Sequence, residues 1–549
     1  MGDLIGHWPL AGDAGNRAAV DLQSTPADIE FGHDGPDGKT DTAAAFNGRS
    51  SCIEIADHPA LDLGQDDFSI TAWVNSDADR HDVAGSILSK YDPELRRGMH
   101  LYIATNDGMT SAALANARQL SFGIDDARAD NTWADCGRPG NAVKIDTLSV
   151  VNEELYAGTL EIGADECGHL WRYAGGQDWV DLGNPVGCNA VRGLVEFNGD
   201  FYCATGRYAL VGSCLGEILN NTPGGQVFRL TAEGEWICCG HPGEAVGLPD
   251  DMDTGKYNMG KADDATSLHV WNGSLYVVSH HIKGVWRYDG GTEWTCVGPD
   301  FRVLSLTVYR GALYALGNGG PIYRFDGGNE WTDCGTPEGS TQNYGAATVR
   351  GELYVGTWPG AEVFRYAGDN NWKGLGRVGY EMEIMAMTMY NGKLYIGSLP
   401  MAHAWRMDEA GDDRQFDVIA NLDETPVKLR RLWSMAVHDG RLYAGTLPGG
   451  RVFAFEAGKM VTWDRRFPGG WHHLAAVKGG DSLKLYVDGV LQASSTPFQP
   501  GDFNLGNTCP LTIGFGPDTH FAGLMSDVRL YRGGLDHGLI GELCGASGS

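Results

Sequence analysis

Short runs in which apolar and polar residues alternate follow one another along most of the chain, and glycine-rich turns separate them. Residues 483–487, Leu-Lys-Leu-Tyr-Val, are one example, and the turn Asp488-Gly489 follows them directly. Alternation with a period of two over about four to eight residues is typical of half-buried β-strands. The sequence therefore predicts an all-β protein of many short strands joined by tight turns.

One strand motif recurs along the middle of the chain. A Leu-Tyr pair or a close variant, followed by small residues, occurs seven times, at Tyr156, Tyr202, Tyr276, Tyr314, Tyr354, Tyr395 and Tyr443. The steps between these anchors are 38–48 residues, except for one of 74. Most anchors precede a third strand such as Val-Trp-Arg-Tyr-Asp-Gly-Gly and a fourth strand that carries Trp. Four short strands in roughly 40–50 residues are the pattern of a β-propeller blade.

The count of these strands predicts how the ring closes. Seven sets of first to third strands lie between Thr147 and Phe455, but only six fourth strands follow them, centred on Trp179, Trp236, Trp294, Trp331, Trp372 and Phe416. The seventh, Thr132–Gly137, precedes every complete set. We expect it to complete the last blade, that of Tyr443, and so to close a seven-bladed propeller over residues 131–464. The long step is assigned to two loops, 206–225 and 241–266, because only one Trp fourth strand lies within it.

Six motifs flank the repeats in order: residues 68–74 (FSITAWV), 87–90 (ILSK), 120–124 (LSFGI), 471–477 (WHHLAAV), 483–489 (LKLYVDG) and 521–531 (FAGLMSDVRLY). This ordered series resembles the laminin-G-like, concanavalin A-like jelly-roll domains. The resemblance covers residues 1–130 and 465–549 and implies a jelly-roll sandwich interrupted by the propeller. Insertion is tolerated where the two ends of the inserted domain lie close together, as strand closure would place them.

Composition narrows the range of partners. The chain has 41 Lys and Arg against 71 Asp and Glu, which gives a net charge of −30. Nucleic acids and anionic membranes attract clustered basic residues, so neither is an expected partner. The 80 Gly, twice the usual share of about 7 %, and the 16 Trp suit strands and turns with an extensive core rather than disorder.

The N-terminus and the cysteines bear on the compartment. Residues 1–10 lack the basic and apolar regions of a signal peptide, so we expect a cytoplasmic protein, with secretion or a periplasmic location after removal of a signal as the alternative. Cys136, Cys239 and Cys334 occupy equivalent positions of different repeats, too far apart to pair with one another. Reduced thiols are therefore favoured, although Cys509 with Cys544, or Cys188 with Cys203, remain pairs that a disulfide would allow.

Standard catalytic motifs are absent, and metal sites are only weakly indicated. His472 and His473 are adjacent on a predicted strand, where alternate side chains face opposite sides. Asp251–Gly255 carries oxygen ligands at alternate positions, as calcium loops do, but lacks a later acidic ligand. The pairs Asp77 and Asp79, and Asp125 and Asp126, are equally ambiguous. No cofactor is expected with certainty, and a structural Ca²⁺ stays open beside the simpler interpretation as solvated turns.

The mouth of the propeller is the predicted functional site. Loops after second strands and before first strands ring one face, where the sequence places Arg207, Tyr208, His280, His281, Tyr344, Trp358, Glu383, His403, Arg430 and Arg431. Aromatic faces stack on sugar rings, and Arg binds carboxylates through paired hydrogen bonds. His and Tyr can move protons near neutral pH. The assigned roles are catalytic for His280, His281, Tyr344, Glu383 and His403, and substrate-binding for Arg207, Tyr208, Trp358, Arg430 and Arg431.

These features favour a protein that binds or processes an oligosaccharide or polysaccharide, which the basic groups suggest is acidic. An enzyme of this kind would be a lyase that removes the proton next to a uronate carboxylate, or a glycoside hydrolase that uses Glu383 with a second carboxylate. A sugar ligand is suggested here by analogy with other proteins of these folds. The alternative is a protein-interaction scaffold without catalysis, and for individual residues the alternative is simple packing between blades.

Overall fold

The structure is a computed structural model that describes residues 2–80, 84–109, 114–128, 130–208, 214–243, 264–410 and 413–545. Almost all of its regular structure is β, with a short 3₁₀ turn at Pro59–Leu61 and one helix, His537–Gly545 (α1). The all-β prediction is confirmed, and the molecule combines a two-sheet, jelly-roll-type domain with a propeller-like arrangement of small sheets.

Nine strands precede the repeats: Asp3–Trp8 (β1), Ser24–Ala27 (β2), Glu30–His33 (β3), Ala43–Asn47 (β4), Cys52–Ile55 (β5), Phe68–Ser76 (β6), Gly85–Asp92 (β7), Arg97–Asp107 (β8) and Leu114–Asp126 (β9).

The next strands up to the middle of the repeats are Ala134–Asp135 (β10), Lys144–Val151 (β11), Glu154–Leu160 (β12), Leu170–Gly175 (β13), Asp178–Gly183 (β14), Ala190–Phe197 (β15), Asp200–Gly206 (β16), Val227–Leu230 (β17), Trp236–Cys238 (β18), Leu268–Trp271 (β19), Ser274–Val278 (β20), Val285–Gly290 (β21) and Glu293–Cys296 (β22).

The remaining repeat strands are Val303–Tyr309 (β23), Ala312–Gly317 (β24), Ile322–Gly327 (β25), Glu330–Asp333 (β26), Gln342–Val349 (β27), Glu352–Trp358 (β28), Glu362–Gly368 (β29), Asn371–Arg377 (β30), Glu383–Tyr390 (β31), Lys393–Leu399 (β32), His403–Ala410 (β33), Asp413–Asn421 (β34), Arg431–His438 (β35), Arg441–Leu447 (β36) and Val452–Phe455 (β37).

Six strands follow: Lys459–Arg466 (β38), Gly470–Gly479 (β39), Ser482–Val487 (β40), Val490–Ser494 (β41), Leu511–Ile513 (β42) and Ala522–Arg532 (β43). They join the first nine in two large sheets, ordered β3-β4-β43-β6-β39-β40-β41, with β1 on β43, and β2-β5-β42-β7-β8-β9-β38. Between the sheets lies an apolar core that includes Trp8, Phe68 and Phe122. The domain boundary expected after residue 464 falls within β38, which pairs with β9 along Lys459–Arg466.

The repeats form small antiparallel sheets. Four of them follow chain order, β19 to β22, β23 to β26, β27 to β30 and β31 to β34. A further sheet of eight strands holds β11 to β14 and β15 to β18, linked by the single residue pair Leu160 and Ala190. The last sheet has the order β10-β37-β36-β35, so the early segment pairs with the sheet of Tyr443 as the sequence predicts, over the two residues Ala134 and Asp135.

Tryptophans of the fourth strands join neighbouring sheets. The indole Nε1 of Trp294 donates to the carbonyl of Cys239 at 2.7 Å, and that of Trp372 donates to the carbonyl of Cys334 at 2.8 Å. Trp179 of β14 donates in the same way to Cys136, directly after β10, at 2.8 Å. The two-residue strand β10 therefore holds the position of a fourth strand in this series. Cys136, Cys239 and Cys334 are buried free thiols, and the pairs considered for disulfides are free as well.

Candidate functional site

The first strands of the small sheets carry charged residues where they begin. Lys144 and Asp146 lie on β11, Arg192 on β15, Glu383 on β31 and Arg431 on β35, and all five side chains are buried. Charged groups are rarely buried unless they are paired or bind something. We call this end of the central channel the mouth.

Two carboxylates and two cations form the centre of the mouth. Arg192 Nη1 lies 2.7 and 2.6 Å from the two carboxylate oxygens of Asp264, and its Nε lies 3.4 Å from Asp146 Oδ1. Lys144 Nζ lies 3.0 Å from the same Asp146 oxygen. His281 Nε2 approaches Asp264 Oδ2 at 3.9 Å. The network holds the cations in fixed, buried positions.

Aromatic rings wall the cations. Lys144 Nζ lies 3.5 Å from the ring centroid of Trp433 and 4.2 Å from that of Tyr208. The guanidinium carbon of Arg192 lies 5.1 Å from the Tyr208 centroid. The Tyr208 hydroxyl is buried and has no hydrogen-bond partner among the described residues. An unpaired buried hydroxyl costs free energy, so this atom marks a place where a ligand would restore a hydrogen bond.

Burial shifts two of these groups toward neutral pH. Loss of solvent raises the pKa of Glu383 to about 7, although nearby Arg431 opposes that shift. Loss of solvent lowers the pKa of Lys144 to about 7, against the attraction of Asp146. Groups that titrate near the working pH are the ones that exchange protons most effectively. The mouth therefore holds one acid and one base of nearly matched strength.

His280 and Tyr344, two of the predicted residues, lie close to the charged groups of the mouth. Burial, together with Arg192 and Arg302, holds the pKa of His280 well below its usual range, and His280 Nε2 lies 3.3 Å from the Leu304 carbonyl. Burial and nearby Glu383 raise the pKa of Tyr344. At neutral pH, His280 is thus an uncharged imidazole and Tyr344 an intact phenol.

The structure separates the predicted site residues into two groups. Tyr208, His280, His281, Tyr344, Glu383 and Arg431 come together in the mouth through the contacts and charges given above. His403 lies apart: its Nδ1 is 2.9 Å from Glu381 Oε1, and its ring packs on Trp405. Arg430 also lies apart and donates to the Thr425 carbonyl at 3.3 Å. Trp358 is half-buried beside Tyr344, and Arg207 directly precedes Tyr208.

Sequence reasoning missed five charged residues of the mouth, namely Lys144, Asp146, Arg192, Asp264 and Arg302. The pattern held a signal for three of them. Lys144, Asp146 and Arg192 interrupt strands that are otherwise apolar or small, Lys-Ile-Asp-Thr-Leu-Ser-Val-Val and Ala-Val-Arg-Gly-Leu-Val-Glu-Phe. A charged residue inside an apolar strand needs a buried partner. Searching the first strands as well as the loops would have found them.

An apolar strip covers part of the mouth. Leu215, in the loop that follows β16, packs against the apolar cluster of Trp433 and also against the cluster of Tyr208. Cys214 packs beside it on the side of Trp433. Apolar cover lowers the local dielectric and strengthens every charge interaction beneath it. The buried charges of the mouth therefore interact with one another more strongly than they would in water.

No group of three or more His, Cys, Asp and Glu that would hold an ion occurs in the part of the chain that the structure describes. Asp125 is paired with Arg96, at 2.7 Å, and Asp126 accepts the backbone N–H of Asn504. The predicted loop Asp251–Gly255 lies outside the described residues.

Among the described helices, none has the length and apolar character that crossing a membrane requires.

Comparison with known proteins identifies part of the chain. Residues 422–540 match the laminin G family described as the concanavalin A-like lectin/glucanases superfamily. No curated protein matches the chain.

Solved structures resemble the repeats only distantly. One of YCF48 bound to a D1 peptide is 12 % identical, with a TM-score of 0.43, over 60 % of this chain and 99 % of that one. Virginiamycin B lyase from Staphylococcus aureus, in an inactive form with quinupristin, is 11 % identical, with a TM-score of 0.43, over 59 % and 99 %. The WD40 propeller domain of Doa1 is 10 % identical, with a TM-score of 0.40, over 59 % and 97 %. Likeness at this level carries no argument about function. The chain thus joins a propeller-like array of sheets to a jelly-roll-type domain, and its residues 422–540 are similar to concanavalin A-like lectins and glucanases.

Proposed function

We propose that this protein binds an acidic carbohydrate in the mouth of a seven-bladed propeller that is inserted into a concanavalin A-like jelly roll. The eight-stranded sheet counts as two blades, because one residue pair alone joins its halves. Strands from both ends of the chain share the two large sheets, which supports an insertion between residues 1–130 and 465–549.

The observation that carries the proposal is the buried, aromatic-walled set of cations. Lys144, Arg192 and Arg431 lie in the mouth of a chain whose net charge is −30, and Arg302 acts on the same His and Tyr side chains. Keeping such groups out of water is costly unless they are paired with carboxylates or bind an anionic ligand. A carboxylate on a sugar would pair with the cations, while Tyr208 and Trp433 would contact the sugar ring.

The same site suits a β-elimination on a uronate. His280, uncharged at neutral pH, would take the proton next to the carboxylate, and the bond to the leaving sugar oxygen would break. Tyr344, which keeps its proton, would donate that proton to the departing oxygen. Arg431 and Lys144 would neutralise the carboxylate as charge builds on it. A hydrolase that uses Glu383 with Asp264 is the weaker version, because Asp264 is already engaged by Arg192.

A protein-interaction scaffold remains the second candidate, favoured by one observation at the rim of the mouth. Tyr380 is 95 % exposed, and the next residue, Glu381, accepts the N–H of the half-exposed Met401. Exposed aromatic and Met side chains are common anchors of protein interfaces. Tyr380→Ala would weaken the capture of a protein partner and leave the binding of acidic sugars unchanged.

The test is calorimetric titration with galacturonate, glucuronate and mannuronate oligosaccharides, with neutral maltotriose as the ligand control. Arg431→Ala should abolish binding of the acidic oligosaccharides, whereas Arg172→Ala should keep it. Arg172 is a matched control because its exposed pair with Glu154 lies on an outer strand. A bound ligand at 100 times its dissociation constant should add roughly 2.7 kcal/mol to the stability of the wild type. Binding of the acidic oligosaccharides that survives Arg431→Ala would refute the proposal.

A further inference from the structure

The end of the channel opposite the mouth is occupied by part of the jelly roll. The β8–β9 hairpin projects from its sheet and contacts the first strand of every blade, that is β11, β15, β19, β23, β27, β31 and β35. Because one hairpin touches the whole ring of inner strands, it lies along the channel axis. We call residues 105–109 and 114–118 of this hairpin the plug.

Asp107 anchors the plug on two neighbouring strands. Its Oδ2 lies 2.9 Å from His269 Nε2 and accepts the backbone N–H of Val308 at 2.8 Å. Its Oδ1 accepts the Thr307 hydroxyl at 2.6 Å. Asp107 and His269 are both buried, so this is a fixed, water-excluding contact rather than a surface pair.

The tip of the plug is fitted to the other strands. The Ala346 N–H donates to the Gly108 carbonyl at 3.1 Å, and a Cβ at Gly108, whose φ is +78°, would stand 2.9 Å from the Ala346 oxygen. On the opposite side, Ser149 Oγ donates to the Leu114 carbonyl at 3.2 Å. The Asn116 side chain both donates to and accepts from the backbone of Val437, at 2.7 and 2.9 Å.

The distance from the mouth to the plug is short. Five residues of β11 separate Lys144 from Ser149, and five residues of β31 separate Glu383 from Thr388, whose hydroxyl contacts Met109. A strand rises about 3.3 Å per residue, so the mouth cations lie roughly 17 Å from the plug. The described residues of the plug contact the first strands all round the channel and so close this end to a polymer chain.

We propose that the mouth is a blind pocket that takes the terminal residues of an acidic saccharide chain, or a short acidic oligosaccharide, and excludes the interior of a polymer. This rests on the acidic-sugar function proposed above and narrows its substrate class to chain ends. A site that binds internal residues must leave room for the saccharide chain on both sides of the bound residues. The plug closes one of those two sides.

The test compares uronate oligomers of two to eight residues with polygalacturonate of narrow length distribution, by calorimetry and by sedimentation of the complexes. A blind pocket predicts at most one bound protein per chain end whatever the length, so binding per gram of uronate falls in proportion to chain length. A number of proteins per chain that rises with length would overturn the blind pocket and leave acidic-sugar binding intact. Absence of binding at every length would overturn both.

A substitution in the plug distinguishes a change in chain-end selectivity from a general loss of folding or binding. Gly108→Ala crowds the tip of the plug against Ala346 without touching any mouth residue. If the plug decides chain-end selectivity, a folded variant whose plug stays in place should keep the wild-type number of bound proteins per chain. A folded variant whose plug has moved should begin to bind along the polymer. Protection of the Ala346 N–H from hydrogen exchange shows that the plug is in place. An unchanged number of proteins per chain end under that condition supports the proposal. End counting that persists after that protection is lost would contradict it.

Discussion

The two ends of the central channel are built from the same kind of strand but treat buried charge in opposite ways. At the plug, every hydrogen bond that Asp107 makes is matched by His269, Thr307 or the Val308 N–H. At the mouth, the Tyr208 hydroxyl has no partner in the described part of the chain, and Lys144 rests on aromatic rings beside a shared carboxylate. Satisfied polar networks stabilise a fold, while incompletely satisfied ones are typical of sites that await a ligand.

Buried lysines show the same contrast. In the jelly roll, Lys478 Nζ donates to the carbonyls of Gln65 and Asp66 at 2.9 and 3.0 Å. Lys144 is equally buried, and its Nζ is among the buried atoms without a hydrogen-bond partner of good geometry in the described structure. Under the proposed function, Lys144 is the lysine that serves binding or proton transfer, whereas Lys478 serves packing.

Removing the anchor of the plug should have the largest effect. Asp107→Ala leaves the His269 ring, the Thr307 hydroxyl and the Val308 N–H buried without their acceptor. We expect a loss of about 3–5 kcal/mol in the free energy of unfolding, measured with urea. Asp13→Ala, which removes an exposed pair with Arg17, should cost less than about 1 kcal/mol. Equal effects of the two variants would contradict the role of the plug as a stabilising contact.

At the mouth, we expect a substitution to raise the free energy of unfolding rather than to lower it. Glu383 has a folded pKa of about 7 against an unfolded value of 4.5, so the folded protein loses stability as pH rises from about 4.5 through 7. Glu383→Gln removes the buried charge and should raise the free energy of unfolding by roughly 2–3 kcal/mol at pH 8. The gain should vanish near pH 4. Urea unfolding at pH 4, 6 and 8 checks this, and a loss at pH 8 would make Glu383 a packing residue.

A matched pair of lysine variants sharpens the comparison. Burial lowers the folded pKa of Lys144 to about 7, so the wild type gains stability as pH rises from 7 toward 10.5. Lys144→Met should therefore be as stable as the wild type at pH 7, or more so. Lys478→Met leaves two carbonyls without a donor and should lose about 1–3 kcal/mol. Thermal unfolding of both variants at pH 7 tests this. A larger loss of stability in Lys144→Met than in Lys478→Met would contradict the proposed difference between the two lysines.

Ligand affinity should depend on pH in a direction that the mouth fixes. An anionic ligand pairs with protonated Lys144 and is repelled by ionised Glu383, both of which have a pKa of about 7. Affinity for uronate oligosaccharides should fall up to tenfold per pH unit for each group above pH 7, and this loss should be smaller in Lys144→Met. Affinity measured from pH 6 to 9 tests this. A rise in affinity with pH would exclude an acidic ligand.

The smallest effect concerns the thiols at the outer edges of the sheets. Burial raises the pKa of Cys136, Cys239 and Cys334. These three should react slowly with a thiol reagent in the native protein and fully after unfolding, without a reductant. Mass mapping of the labelled peptides identifies them. Rapid labelling of the native protein would show that the edges open, and labelling that requires a reductant would show disulfides.

Much of the architecture follows from local pattern. The Trp of most fourth strands and the Tyr of each second strand recur with the blade, so the sheets and the pairing of Ala134 with the sheet of Tyr443 are predictable. The boundary at 464 stays a prediction. The strand β38 alternates like any other strand, and only its pairing with β9 shows which sheet it joins.

For the site, residue type decided which candidates were found. Loop residues such as His280 and His281, and Glu383 at the first position of its strand, were candidates because they stand out in sequences otherwise rich in Gly and Ala. Lys144 and Arg192 were missed because a charged residue in a strand looks solvent-facing until the ring closes around it. His403 matched the pattern equally well, yet its partner is Glu381, outside the mouth.

The sequence by itself determined the strands, their repeat and the turns between them, because a period of two and a recurring Trp or Tyr act within one sheet or between neighbours. Only the tertiary structure decided that a hairpin from the jelly roll fills one end of the channel, and which charged residues meet at the other end. Asp107 and His269 are 162 residues apart, as Arg192 and Asp264 are 72 residues apart. Contacts over such separations depend on how whole sheets are arranged around an axis, and no local pattern encodes that arrangement.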